Sequence, residues 1–123
     1  MILVDTSIWV DHLRSGSPAL AALLENETVC THDFVIGELA CGNLRNRAEV
    51  LGLLQSLPRL SAATEDETLF FIEQQHLMGR GIGYIDAHLL AAAVIRNIPI
   101  WTKDKRLMAI AEEKTWAYAP GTY

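Results

Sequence analysis

Short apolar runs alternate with longer amphipathic segments along this chain. Residues 1–4, 28–31 and 98–102 are predicted to be strands, and the wholly apolar run at 1–4 indicates burial on both faces of a sheet. Weaker strands are predicted at 60–63 and 116–118. Helices are predicted at 7–13, 18–25, 33–41, 47–57, 64–78, 84–96 and 107–113. Strands that alternate with helices indicate an α/β domain with a parallel sheet covered on both faces.

Capping residues and glycines mark several of the predicted helix ends. Thr64 and Glu67 have the spacing of a capping box, and Asp33 is a plausible N-cap for the helix at 33–41. The helix at 84–96 is apolar nearly all round and is therefore expected in the interior. The glycine-rich segment 79–83 is expected to be a flexible connector, because no strand precedes it and no Lys-Ser or Lys-Thr follows it, as a phosphate-binding loop requires.

Four of the fifteen acidic residues stand in apolar surroundings. Asp5 and Asp104 each follow a predicted strand, so they should meet at the edge of the sheet where the carboxyl ends of its strands lie. Glu38 lies within an apolar helix, and Asp86 begins the most apolar helix. Burial of a carboxylate is unfavourable unless it is paired or binds a cation. A simpler interpretation stays open: the three aspartates could be helix N-caps, and Glu38 could face solvent.

A divalent metal ion would compensate several of these charges at once. The few nearby cations are Lys103 and Lys105 beside Asp104, and neither lies beside Asp5 or Glu38. Carboxylates without comparably placed histidines or thiolates favour Mg²⁺ or Mn²⁺ over Zn²⁺. Hydroxyl groups of Thr6, Ser7 and Thr102 accompany the acids and could orient a ligating carboxylate or a bound water.

Composition excludes several classes of protein. The 123 residues, half of them apolar, fit a single domain spanning 1–123. The net charge of −5 argues against a domain that binds nucleic acid through overall positive charge, but an enzyme with a local basic rim is still compatible. No apolar run reaches the ~18 residues of a membrane span, and the first residues do not fit a secretory signal. Cys30 and Cys41 in apolar contexts are expected to be reduced, in a cytoplasmic protein.

The four acidic segments together resemble the PIN-domain family, and within it the VapC-type toxins of bacterial toxin–antitoxin pairs. The matching pieces are ILVDTSIWVDHL, IGELACG, IGYIDAHLLAAA and WTKDKRL. They occur in the order and at the spacing of the family, so the resemblance covers the whole chain. In many relatives a serine precedes the glutamate of the second piece, where this chain has Gly37.

This resemblance implies a five-stranded parallel sheet flanked by helices on both faces and a Mg²⁺- or Mn²⁺-dependent endoribonuclease. It places the acidic quartet of the family on Asp5, Glu38, Asp86 and Asp104. The accompanying hydroxyl positions are expected to be Thr6, Ser7 and Thr102. An RNA substrate, a small antitoxin partner and a homodimer are implied in the same way.

Two other classes of function are compatible with part of the pattern. A phosphoacceptor receiver domain also gathers carboxylates at a sheet edge, but it requires adjacent acids where this chain has Thr6 and Ser7 after Asp5. A PIN-like module that binds RNA or protein without cutting would need no acidic quartet. Some of the basic residues near the acids are hypothesised to hold RNA phosphates, with an ordinary solvated surface as the alternative; the candidates are Arg80, Lys103, Lys105 and Arg106.

Overall fold

The computed structural model describes residues 1–120, and the last three residues of the predicted 1–123 domain lie outside the described part. Three parallel strands form the sheet in the order β2-β1-β3. In chain order the elements are β1 (Ile2–Val4), α1 (Thr6–Ser15), α2 (Pro18–Glu25), β2 (Val29–Cys30), α3 (Asp33–Ala40), α4 (Arg47–Ser56), α5 (Glu65–Gln74), α6 (Tyr84–Ile95), β3 (Ile100–Trp101) and α7 (Lys105–Glu113).

Two single parallel bridges extend the sheet on either side of these strands. Thr31 pairs with Arg59 beyond β2, and Ile100 pairs with Ala117 beyond β3. Five parallel chain segments are therefore present, as expected, although the outer two are reduced to one residue pair each. The outer segments were expected at 60–63 and 116–118, so the first begins one residue earlier than its pattern indicated.

The core lies on both faces of the central strand. Leu3 and Val4 of β1 are fully buried, and Trp9 of α1 is also completely enclosed. Helix α6 has seven consecutive buried residues, from Ala87 to Ala93, which confirms its predicted interior position. No helix of the described part of the chain is long and apolar enough to cross a membrane.

One predicted N-cap and one predicted helix end are wrong for identifiable reasons. His32, not Asp33, caps α3, because its Nδ1 accepts a hydrogen bond from the backbone N–H of Phe34 at 3.0 Å. Helix α5 ends at Gln74 rather than residue 78, since His76 adopts a left-handed backbone conformation with φ of 55°. The capping box of α5 is present as predicted, with reciprocal hydrogen bonds between Thr64 and Glu67.

Candidate active site at the carboxyl edge of the sheet

Asp5 is a buried carboxylate whose charge is stabilised by two hydroxyl groups. It follows β1 directly, and its side chain is only 6 % exposed. Thr102 and Ser7 both donate hydrogen bonds to its Oδ2 atom, at 2.7 and 2.9 Å. Asp5 occupies the N-cap position of α1, but within residues 1–120 its side chain makes no capping hydrogen bond. The N-cap interpretation of this carboxylate is therefore wrong. Its oxygens are not used to cap the helix and are available for another function.

The same two hydroxyls connect the ends of β1 and β3. Ser7 Oγ accepts a hydrogen bond from the backbone N–H of Lys103 at 3.1 Å. Thr102 Oγ1 accepts one from the backbone N–H of Asp104, also at 3.1 Å. Because each hydroxyl donates to Asp5 and accepts from the loop after β3, the network sets Asp5 and the Asp104 loop in a fixed relation.

Asp104 lies at the start of α7, where it does act as a helix N-cap. Its Oδ1 atom accepts hydrogen bonds from the backbone N–H groups of Arg106 and Leu107, at 3.1 and 3.0 Å. The residue is exposed. Since both capping bonds end on the same oxygen, this structural role leaves the carboxylate able to interact with a cation.

Asp86 carries the clearest electrostatic sign of a shared site. The pKa of this half-buried carboxyl is raised to about 6, first by burial and then by the negative charge of Asp5. A hydrogen bond from the Gly83 backbone lowers this pKa, while the charges of Asp104 and Glu38 again raise it. The other three predicted acids therefore all lie within electrostatic reach of Asp86, and the charges that shift its pKa are all negative.

Glu38 differs from the expectation of a carboxylate buried in an apolar helix. It is exposed, because the buried face of α3 carries Val35 and Leu39 instead. Its Oε1 atom accepts a hydrogen bond from Thr6 Oγ1 at 2.8 Å. The apolar sequence around Glu38 was thus misleading about burial, whereas the position of the side chain beside α1 agrees with the expected site.

The chemistry of these four side chains fits a hard divalent cation. They provide oxygen donors only, and mutual repulsion disfavours their common ionisation unless a cation is added. Within residues 1–120, however, no three acidic, histidine or cysteine side chains are arranged so that they could hold a metal ion as they stand. Side-chain rotations would have to draw the carboxylates together around an ion.

A groove of about 710 Å³ begins at Glu38 and runs between α1, α3 and the loop before α4. Thr6 and Glu38 lie on its wall, together with the exposed apolar residues Val10 and Leu13. The sequence interpretation missed this groove. The spacing of Thr6, Val10 and Leu13 on one helical face was an available signal, but the segment beyond α3 carried none. Two arginines also line the groove, Arg14 and Arg45.

Two of the four basic candidates for RNA binding are already paired on the surface. Lys103 forms an ion pair with Asp11. Arg80 forms one with Glu113, with 3.0 Å between Nη1 and Oε2. His88 is buried at 6 % exposure and its Nδ1 lies 3.2 Å from Thr68 Oγ1, on a different face of α6 from the acids. His88 is therefore a core residue and is not part of the candidate site.

Comparison with known proteins agrees with this geometry. The model of the PIN domain family matches residues 2–113. The chain belongs to the PIN-domain family. This confirms the family expected from the four acidic segments, and the fold expected with it.

One curated relative of this PIN domain is similar over nearly its full length. Ribonuclease VapC32 of Mycobacterium tuberculosis is 42% identical over 120 residues, which are 97% of this chain and 97% of that protein. The expected membership among VapC-type proteins is thereby confirmed.

Solved structures share the fold at low sequence identity. A toxin–antitoxin complex from Klebsiella pneumoniae contains a chain that is 17% identical with a TM-score of 0.67, over 89% of this chain and 91% of that one. The protein PAE2754 from Pyrobaculum aerophilum is 18% identical with a TM-score of 0.68, over 95% and 87% of the two chains. These likenesses establish that the PIN domain described here has the architecture of its family.

Proposed function

We propose that this PIN domain is a Mg²⁺- or Mn²⁺-dependent endoribonuclease that acts as the toxin of a toxin–antitoxin pair. The observation that carries the proposal is the gathering of Asp5, Asp86, Asp104 and Glu38 at the carboxyl edge of the sheet, where the charges of the other three contribute, after burial, to the raised pKa of Asp86. The 42% identity to Ribonuclease VapC32 supports RNA as the substrate.

Asp5, Glu38, Asp86 and Asp104 would hold the ion, and the hydroxyls of Ser7 and Thr102 would keep the Asp5 carboxylate oriented toward it. A divalent ion in such a site supplies acidification of a water molecule and stabilisation of the charge that develops on the phosphate. Glu38 is exposed, and its one hydrogen bond within residues 1–120 is to the Thr6 hydroxyl. It is therefore the acid best able to move with an incoming substrate. Its role is to hold or position the attacking water by its other carboxylate oxygen.

The groove beside Glu38 is our candidate for the antitoxin-binding surface. It is lined by apolar side chains and by two arginines, and Glu38 of the acidic site lies on its wall. A peptide segment with apolar residues could fill it and place a basic or polar side chain among the carboxylates, with favourable electrostatics. The chain of similar fold from Klebsiella pneumoniae belongs to a toxin–antitoxin complex, which supports a partner of this kind.

A homodimer is proposed as well, through an exposed apolar face of α5. Leu69 and Phe70 of α5 are 52% and 66% exposed, which is high for large apolar side chains. Replacing Phe70 with Glu would then convert a dimer into a monomer in sedimentation velocity, whereas an unchanged mass would exclude this face.

We place the reaction in the cytoplasm, where RNA substrates are available. Cys30 and Cys41 both carry free thiols. Burial raises the pKa of the Cys30 thiol to about 11, so it is an inert core group rather than a reactive one. Unpaired thiols are typical of a reducing compartment.

A PIN-like module that binds without cutting is the second candidate. The separation of the carboxylates within residues 1–120 is the observation in its favour. The decisive experiment is cleavage of a mixed small-RNA pool by antitoxin-free protein, with Mg²⁺, with Mn²⁺ and with EDTA, beside Asp5→Asn. Metal-dependent cutting that the variant loses would support the nuclease, and RNA binding without cutting under all conditions would support the module.

A further inference from the structure

Two of the three glycines in the loop at 79–83 have a left-handed backbone, but only one of them makes room for a neighbouring side chain within residues 1–120. Both Gly79 (φ 73°) and Gly81 (φ 85°) adopt left-handed backbone conformations. A Cβ atom added to Gly79 would meet nothing within 4 Å in the described part of the chain. A Cβ atom added to Gly81 would stand 2.8 Å from Cδ and 2.9 Å from Nη1 of Arg106. Gly81 therefore leaves space for the side chain of Arg106, and Gly79 does not.

Arg106 connects the two parts of the chain that carry Asp104 and Asp86. Its backbone N–H donates to the Asp104 carboxylate at 3.1 Å. Its guanidinium lies across the loop, with Nη1 3.5 Å from the carbonyl oxygen of Gly81. Two residues further on, Gly83 begins α6 and hydrogen bonds to Asp86. The guanidinium is thus held at the rim of the acidic site by its contact with Gly81.

The charge of Arg106 is also available for a ligand. Unlike Lys103 and Arg80, it forms no ion pair with an acidic residue within the part of the chain that the structure describes. It is exposed, and its charge is absent from the interactions that shift the pKa of Asp86. Arg106 therefore stands beside the carboxylates without neutralising them.

We propose that Arg106 binds a phosphate of the RNA next to the cleaved bond, and that Gly81 positions it to do so. The proposal rests on the proposed function, since it assigns a substrate contact of that same site. A guanidinium presents a planar fork of N–H donors that matches phosphate oxygens. Because the side chain of Arg106 already packs against Gly81, less side-chain freedom is lost when the phosphate binds.

The test compares three variants on one RNA that the wild-type protein cuts, with Mg²⁺ present. Arg106→Gln is expected to raise KM on the order of fivefold, with kcat changed by less than about twofold. The slope of log(kcat/KM) against log of the KCl concentration should become shallower by about 0.7, the value for one lost contact to a single-stranded phosphate. Gly81→Ala should raise KM in the same direction, because the new methyl group displaces Arg106.

Gly79→Ala is the matched control, since it carries the same left-handed backbone penalty in open space. It should lower the melting temperature as Gly81→Ala does, yet leave KM and the salt slope unchanged. The proposal is overturned if Arg106→Gln lowers only the melting temperature, or if Gly79→Ala raises KM as much as Gly81→Ala. If the wild-type protein cuts no RNA, the proposed function is wrong. If the wild-type protein cuts RNA but Arg106→Gln has no effect on KM, only the role of Arg106 is wrong.

Discussion

The two halves of the acidic site are held in opposite ways. On one side, Asp5 and Asp104 are tied by hydroxyl and backbone donors that stabilise their charges. On the other side, Asp86 retains a pKa raised by burial and by its neighbours, and Glu38 is exposed and contacts a single hydroxyl among residues 1–120. The tied half provides a fixed frame, and the other half keeps a surplus of negative charge that a cation can neutralise.

The largest expected effect follows from removing one carboxylate from either half. Asp5→Asn and Asp86→Asn should each lower the rate of RNA cleavage on the order of a thousandfold, because ion binding supplies several kcal/mol of transition-state stabilisation. Asp33→Asn is the control, since that exposed acid near the same edge pairs with Arg59 instead. If either site variant retained wild-type activity while the control did not, the quartet would be wrongly assigned.

The next effect concerns the frame itself. Ser7→Ala and Thr102→Val each remove a donor to Asp5, and the loss of such an orienting group typically lowers metal affinity or activity by about 10- to 100-fold. Thr31→Val is a suitable control, because the buried Thr31 hydroxyl has no hydrogen-bond partner in the described part of the chain. Mn²⁺ titration and cleavage rates measure the difference. Equal behaviour of Thr102→Val and Thr31→Val would contradict the role of the frame.

Stability should change in opposite directions in the two halves. The folded-state pKa of Asp86 is raised from 3.8 to about 6, so the metal-free protein loses stability as the pH rises between these values. Asp86→Asn removes that loss and should stabilise the metal-free protein above pH 6 by about 1 kcal/mol, allowing for solvent screening. Thr102→Val should instead destabilise it by about 1–2 kcal/mol.

Urea unfolding of both variants from pH 4 to pH 8 tests this contrast. The gain from Asp86→Asn should fall to a small remainder near pH 4, where the wild-type carboxyl is protonated in the folded state and nearly half protonated in the unfolded state. Because the pKa values of His32 and His88 are lowered in the folded state, the protein loses stability as the pH falls below 6.5. This loss is the same in the wild type and in Asp86→Asn. Mg²⁺ should stabilise the wild type and leave Asp86→Asn unaffected. If Asp86→Asn were less stable than the wild type at pH 8, the claim that this half of the site carries a destabilising surplus of negative charge would be wrong.

The smallest effect is expected at the exposed end of the site. Thr6→Val removes the hydrogen bond to Glu38, and an exposed contact of this kind should alter the cleavage rate by no more than about threefold. Glu38→Gln, in the same assay, should have a larger effect because it changes the charge. If Thr6→Val proved as damaging as Thr102→Val, Glu38 would belong to the fixed frame and the two halves would not differ.

Much of the fold was predictable because local patterns and global topology agree. The bounds of α2 were predicted in full, since Pro18 starts that helix and apolar periodicity continues through it. The interior position of α6 followed from its nearly uniform apolar sequence. The outer strands were least certain, because each pairs through a single residue and carries little periodicity of its own.

The sequence alone was enough to predict which four acids would form the candidate site. Asp5 and Asp104 follow strands, and parallel strands end at one edge, so these two were expected to meet without any knowledge of packing. The four segments also determined the family, which the comparison confirms. These results depend on chain order and on the period of side chains, both of which are local properties.

The tertiary structure decided how each acid is held. The exposure of Glu38 depends on which face of α3 packs inward, and the hydroxyl frame joins residues 95 and 97 positions apart. The space that Gly81 leaves for Arg106 likewise depends on a loop and a helix distant in sequence. Such contacts are set by three-dimensional packing, because no local pattern records which distant side chain will arrive beside a given atom.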